Sequence, residues 1–164
     1  MNFTPVIAIV ASGILWLVGG LFLLIKGLNL VVLAVNPEYF GAHAALVPYL
    51  STLVGGKEQA ALLVITFGLL IGLFKGRVVL AKSVKRVVAR ILSLPLPIKI
   101  QQIYSWKYVA LIGSMVGLGV AIRWMQLPVD LHGLIDVAIG SSLVNGSMIY
   151  FRLAVFSKES QPKL

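Results

Sequence analysis

The chain has 164 residues, of which 59% are hydrophobic and 12% charged, with 14 Lys and Arg against 5 Asp and Glu and a formal net charge of +9. A soluble domain covers its surface with about 25% charged residues, so this composition, with a mean hydropathy of +1.00, excludes one and points to an integral membrane protein. The absence of cysteine excludes disulfides and thiolate chemistry, and the cations flank apolar runs instead of an aromatic-studded groove, which argues against nucleic acid.

The first apolar run opens with Thr4 as an expected N-cap and Pro5 at the first helical position, where a missing N–H costs nothing. No positive n-region or small-residue cleavage site marks it as a removable signal, so residues 5–27 are read as the first span. Gly13, Gly20 and Gly27 fall on one stripe beside Trp16, a face suited to close helix packing. Residues 28–56 stay apolar but are interrupted by Asn36-Pro37, Pro48 and Gly55-Gly56. Residues 28–35 are expected to extend the first helix or lie at the interface, and residues 40–54 to form a short helical or re-entrant outer segment.

Residues 58–75 form the second expected span, in which Gly68, Gly72 and Gly76 recur every four residues and make a flat groove for another helix. We expect this face to hold copies of the chain together. Next comes KGRVVLAKSVKRVVARIL, residues 75–92. On a helical wheel Leu80, Val84, Val87, Val88 and Ile91 gather on one side and Lys82, Lys85, Arg86 and Arg90 on the other. This pattern predicts a basic amphipathic helix lying in the headgroup plane, its cations on anionic lipid. Arg77 falls on the apolar side and is expected to point into the bundle. Pro95 and Pro97 end the helix, and Tyr104, Trp106 and Tyr108 suit the interfacial belt.

The third span is expected over residues 108–126, containing Gly113, Gly117 and Gly119 and ended by Leu127-Pro128. After a tight connection over residues 129–133, the fourth covers 134–156 and is the least apolar, carrying Asp136, Gly140, Ser141, Ser142, Asn145, Gly146, Ser147 and Arg152. Ala138, Ser141, Asn145 and Arg152 share one face; Asp136, Gly140 and Ser147 lie on the opposite one. Small and polar residues on two faces predict a central helix with a neighbour on each side. The first and third spans share Gly-Leu, Ile-cation and amide-Leu pairs at matching spacing, at Gly20, Ile25 and Asn29 and at Gly117, Ile122 and Gln126. The second and fourth align poorly, so chance similarity is preferred to a duplicated hairpin.

Between the second and third spans lie Lys75, Arg77, Lys82, Lys85, Arg86, Arg90, Lys99 and Lys107 with no acid, while Glu38, Glu58, Asp130 and Asp136 fall on the other side. The positive-inside rule makes residues 76–107 and both termini cytoplasmic, fitting a bacterial inner membrane. The expected architecture is a single all-α membrane domain. It has four transmembrane helices, a basic amphipathic cytoplasmic helix between spans 2 and 3, and a short outer segment between spans 1 and 2.

Polar groups in membrane helices are functional candidates because unpaired they are costly in lipid. For Asp136 two roles stand open: a proton or cation acceptor at an outer vestibule, with Asp130 and His132 beside it, or an ion pair with Arg123, Lys26 or Lys57, which we favour. Asn145 suits either a substrate or an interhelical hydrogen bond, and Arg152 suits snorkelling to phosphates. Asp130, His132, His43 and Glu38 match no recognised zinc spacing, and no catalytic triad, phosphate loop or dinucleotide fingerprint occurs. We therefore expect no enzyme, metal or cofactor. The expected role is an oligomeric structural or accessory membrane component, packed through Gly13, Gly20, Gly68, Gly72, Gly76, Gly140 and Gly146. The alternative is a small transporter or channel with a path along Asp136, Ser141, Asn145 and Arg152.

Overall fold

A computed structural model describes residues 4–36, 43–93 and 124–159, together with Gly117 and Ala121. Among the described residues every element is helical: α1 (Pro5–Leu33), α2 (Leu46–Val54), α3 (Lys57–Lys75), a π-helical turn (Gly76–Leu80), α4 (Ala81–Leu92) and α5 (Val129–Glu159). Three continuous helices, Pro5–Leu33, Lys57–Leu92 and Val129–Ser157, are long and apolar enough to cross a membrane. Most of the expected span over residues 108–126, the whole of the segment 94–107 and the similarity involving Ile122 lie outside the described residues.

Helix α1 absorbs residues 28–33 into the first span, since nothing in that apolar stretch breaks it before Ala34. Helix α2 tolerates Pro48 because it falls in the first turn, where backbone N–H groups have no helical partner. Gly55 closes α2 at φ 85, a left-handed conformation that glycine adopts without steric cost. Val47 then packs with Val31, Ala34, Ala60, Ala61 and Val64 in a core at this end of the bundle.

The helix over residues 81–92 is amphipathic as expected, but it is not a separate element lying flat. It continues α3 through the π turn to make one helix of 36 residues. Its apolar face is covered by protein: Val84, Val88 and Ile91 form a second core with Ala8, Ile9, Trp16, Leu143, Tyr150 and Ala154. The π turn has a geometric reason. Gly68, Gly72, Gly76, Leu80, Val84 and Val88 recur every four residues, and in an ideal α-helix each such step drifts about 40° around the axis. The wider turn takes back part of that drift and keeps the row on its neighbours. Arg77 lies in this turn and is exposed, contrary to the expectation that it points inward.

Helix α5 is the hub. Half of its most apolar stretch is buried, against 33% for α1 and 22% for the α3–α4 helix. It starts at Val129, five residues before the expected span, so residues 129–133 form its first turn. Against α1 it runs antiparallel, with Gly13 on Tyr150 and Phe151, Gly20 on Gly140 and Val144, and Gly27 on Gly133 and Val137. Against α3 it runs parallel, with Gly68 on Leu134 and Val137, Gly72 on Ala138 and Ser141, and Gly76 on Ser142 and Asn145.

Candidate functional site

The sequence leaves open what the two smooth faces meet, and both meet α5. A Cβ at Gly20 would lie 2.9 Å from the Val144 backbone nitrogen, and one at Gly140 would lie 2.6 Å from that of Leu24. On the opposite face, a Cβ at Gly76 would lie 2.8 Å from Asn145 Cβ. Real Cβ atoms do not pack at such distances, so these positions need glycine. The expectation that Gly68, Gly72 and Gly76 join separate copies is thus corrected: the groove is filled within the chain. Gly146 serves side-chain packing, its Cβ position lying 3.3 Å from Leu80 and Trp16 atoms. Trp16 and Tyr150 meet beside it with ring centroids 5.8 Å apart.

The four residues proposed for a polar path are distributed, not aligned. Ser141 Oγ donates to the Leu69 carbonyl at 3.4 Å, and Asn145 Nδ2 donates to the Ser141 carbonyl of its own helix at 2.9 Å. Asn145 therefore anchors its Nδ2 within α5 while its Cβ packs on Gly76. Arg152 is exposed, its guanidinium 5.8 Å from the Phe156 ring centroid, a cation–π arrangement. The geometry places these three in packing contacts and at the surface.

Asp136 is different. Its carboxylate Oδ2 accepts from Lys26 Nζ at 2.8 Å, with the Asp136 side chain 7% exposed and that of Lys26 43% exposed. His132, one turn earlier on α5, brings Nε2 to 3.5 Å from the same oxygen and 3.4 Å from Lys26 Nζ. Of the cations considered as partners, Lys26 is in contact and Lys57 makes no ion pair among the described residues, while Arg123 lies outside them. The approach depends on glycine, since a Cβ at Gly27 would lie 2.9 Å from Asp136 Cβ. Val137, the next residue, touches the Gly27 and Gly68 positions. The triad is thereby level with the middle of α3, eleven residues or about 17 Å along the helix from Lys57. An apolar groove of about 410 Å³ beside Lys26 is lined by Phe22, Ile25, Asn29, Leu30 and Leu33 on the outer face of α1.

Asp130, expected beside Asp136 at an outer vestibule or among loop groups matching no zinc spacing, has a different task in the structure. It is fully buried in the first turn of α5. Its Oδ2 accepts from the backbone N–H groups of Ala45 and Val47, both at 2.8 Å, and its Oδ1 accepts from that of Leu131 at 2.8 Å. Ala45 has no side-chain acceptor with which to cap α2, so a carboxylate 85 residues away supplies it. The Val129 N–H closes the junction by donating to the His43 carbonyl at 2.9 Å. Among the described residues no group of three or more His, Cys, Asp or Glu side chains forms a metal site.

No family model, curated protein or solved structure matches the chain.

The cations of α4 complete the picture. Lys82, Lys85, Arg86 and Arg90 are all exposed, and none pairs with an acid among the described residues. On the far side of the same core, Ile7 and Val155 stay 49% and 59% exposed next to buried Ala8 and Ala154. Cationic and apolar surfaces thus stand at one height.

Proposed function

We propose that this protein is a structural or accessory component of a membrane whose basic α4 face holds anionic lipid headgroups. The observation that carries the reading is the packing of α5. Both of its small-residue faces are closed against α1 and α3 at backbone distance, a construction that favours a rigid support over a passage. Cations beside exposed apolar side chains suit a membrane boundary, where aliphatic groups enter the acyl region and Lys and Arg reach phosphates. Each such cation contributes about 1 kcal/mol near an anionic surface.

The reading includes a fourth crossing over residues 108–126. Helices α3 and α5 run in the same direction, so the chain between them must travel back from one end of the bundle to the other, which supports a return span. Thr4 and Ser157 lie at the α4 end, in keeping with both termini sharing the basic, cytoplasmic side that the positive-inside rule assigns. With the glycine faces consumed inside the chain, association with a second copy or another membrane protein would use the outward apolar side chains, such as Phe22, Phe67 and Phe74. A transport path finds support only in the Lys26, His132 and Asp136 triad.

The test is lipid retention by the purified full chain. Native mass spectrometry should show anionic phospholipid carried through mild detergent by the parent and largely lost when Lys82, Lys85, Arg86 and Arg90 are all replaced by Gln. Equal retention would remove the lipid contact from the account. Ion or solute flux in parent proteoliposomes, abolished by Asp136→Asn, would favour the transporter reading instead.

A further inference from the structure

Leu80 and Trp16 stand at one height in the bundle, since the Cβ position of Gly146 on α5 lies 3.3 Å from Leu80 Cδ1 and 3.3 Å from Trp16 Cε3. On α1 that height is near the middle of a charge-free run. Pro5 to Ile25 is twenty-one residues, about 31 Å of helix, the thickness of a bilayer's hydrocarbon core. On the α3–α4 helix the same height is already cationic. Exposed Lys75 and Arg77 precede Leu80, and exposed Lys82, Lys85, Arg86 and Arg90 follow it at about 3, 8, 9 and 15 Å along the axis. These four descend beside the half of the α1 run between Trp16 and Pro5, where Val84, Val88 and Ile91 share a core with Ala8 and Ile9. The uncharged stretch of α3, Gln59 to Phe74, is only about 24 Å long.

A level bilayer does not suit both sides. Lifted clear of the cations, it would leave exposed Ile7, Ile14 and Leu15 of α1 and Met148, Val155 and Phe156 of α5 in water. Nothing on α1 offsets that, because the hydroxyl in its run, on Ser12, is buried and donates to the Ala8 carbonyl at 2.9 Å. Spread over the α1 run instead, the bilayer surrounds the cations. A cation at that depth is relieved by snorkelling, local thinning and entry of water, and apolar groups in water have no such relief. Nor do the described acids neutralise α4: Asp136 holds Lys26, Asp130 is bonded to the backbone of Ala45 and Val47, and Glu58 lies at the far end of α3.

We propose that the α4 face draws the phosphates of anionic phospholipid, with water, to a depth that is acyl chain on the α1 side, so that the bundle thins one leaflet on one side only. This rests on the lipid contact proposed above and adds its depth. Lys82, Arg86 and Arg90 recur at four-residue steps, about 6 Å apart along the axis, a ladder for phosphate that Lys85 flanks. Phe67, Leu70 and Phe74 are exposed farther along the same continuous helix, where they receive acyl chains. An apolar stretch followed by a cationic one matches an amphiphile better than an acidic protein segment. The short uncharged stretch of α3 fits as well, since a span shorter than the hydrocarbon core is accommodated by thinning.

The experiment compares two spin labels at one height. Lys85 is five residues beyond Leu80 and Ala11 five residues before Trp16, both are exposed, and the chain has no cysteine of its own. Lys85→Cys and Ala11→Cys are each labelled with a nitroxide in the full chain, in vesicles of equimolar phosphatidylcholine and phosphatidylglycerol. Electron spin resonance reads collision with oxygen, which concentrates among acyl chains, and with a water-soluble nickel chelate; phosphorus NMR reads relaxation of lipid phosphate by each label. The expected result is an Ala11 label reached by oxygen and a Lys85 label reached by nickel, with phosphorus relaxed faster from Lys85. Nickel contact and phosphorus relaxation from both labels would overturn the one-sided thinning and leave the lipid contact standing. A Lys85 label that does not relax phosphorus would overturn both, and one that neither reagent reaches would mean that a second copy covers α4. Both substitutions are on the surface, so the core contacts stay intact in each variant.

Discussion

Gly27 and Gly133 approach each other across the α1–α5 contact at backbone distance. A Cβ added to Gly27 would lie 2.8 Å from the Gly133 carbonyl oxygen, and one added to Gly133 would lie 2.9 Å from that of Gly27. The contact therefore tolerates no side chain on either helix. Because Lys26 is the residue before Gly27, the same approach delivers its ammonium to Asp136.

Gly27→Ala should cost about 1–3 kcal/mol, the usual penalty of forcing atoms into a filled contact. Gly19→Ala is the control. Its Cβ would meet nothing within 4 Å, and a helical alanine in place of glycine should be neutral or stabilising by up to about 1 kcal/mol. Thermal unfolding in mild detergent, followed by circular dichroism, separates the two.

Gly72→Leu should loosen the monomer and leave its association state alone. The Cβ position at Gly72 already collides with the Ala138 carbonyl and lies 2.7 Å from Ser141 Cβ. A lower midpoint of unfolding with unchanged mass in light scattering is expected. A clean shift from oligomer to stable monomer would return this face to an interface between copies.

Lys26→Met and Asp136→Asn should each destabilise, and the double substitution should cost less than their sum. Leaving one partner of a partly buried pair alone costs about 1–3 kcal/mol, below the figure for fully buried pairs because water reaches Lys26. A double-mutant cycle in chemical unfolding measures the coupling, and additive effects would mean that the 2.8 Å contact contributes nothing.

Asp130→Ala should free the start of α2 and cost about 2–4 kcal/mol through the loss of charge-assisted bonds to three backbone N–H groups. Hydrogen exchange at Ala45 and Val47 is the direct readout, with protection lost there and kept in α3.

Much of this architecture is legible in the residues. The glycine spacing marks smooth faces on α1 and α3, and the two-faced small and polar pattern of residues 134–156 marks a central helix. A wheel shows that a face is smooth and not what covers it, which is why the Gly68, Gly72 and Gly76 row reads equally well as an interface between copies. The same limit applies to Val84, Val88 and Ile91, since an amphipathic helix has one pattern whether lipid or protein covers its apolar side. Asp130 escapes because its partners are backbone N–H groups far away in the chain, which leave no trace in side-chain identity. Lys26 and Asp136 are each recognisable as costly residues, yet only the antiparallel register of α1 and α5 brings them together.

Helix α5 runs parallel to α3 and antiparallel to α1, and the proposed fourth crossing would carry the chain back across the membrane between Ser93 and Gln126. The absence of native cysteine makes side-specific labelling of single replacements the most direct test. Ser93→Cys and Ser157→Cys should react with a membrane-impermeant thiol reagent from one side of sealed vesicles, and Gln126→Cys from the other. Reaction of Ser93→Cys and Gln126→Cys from the same side would contradict it.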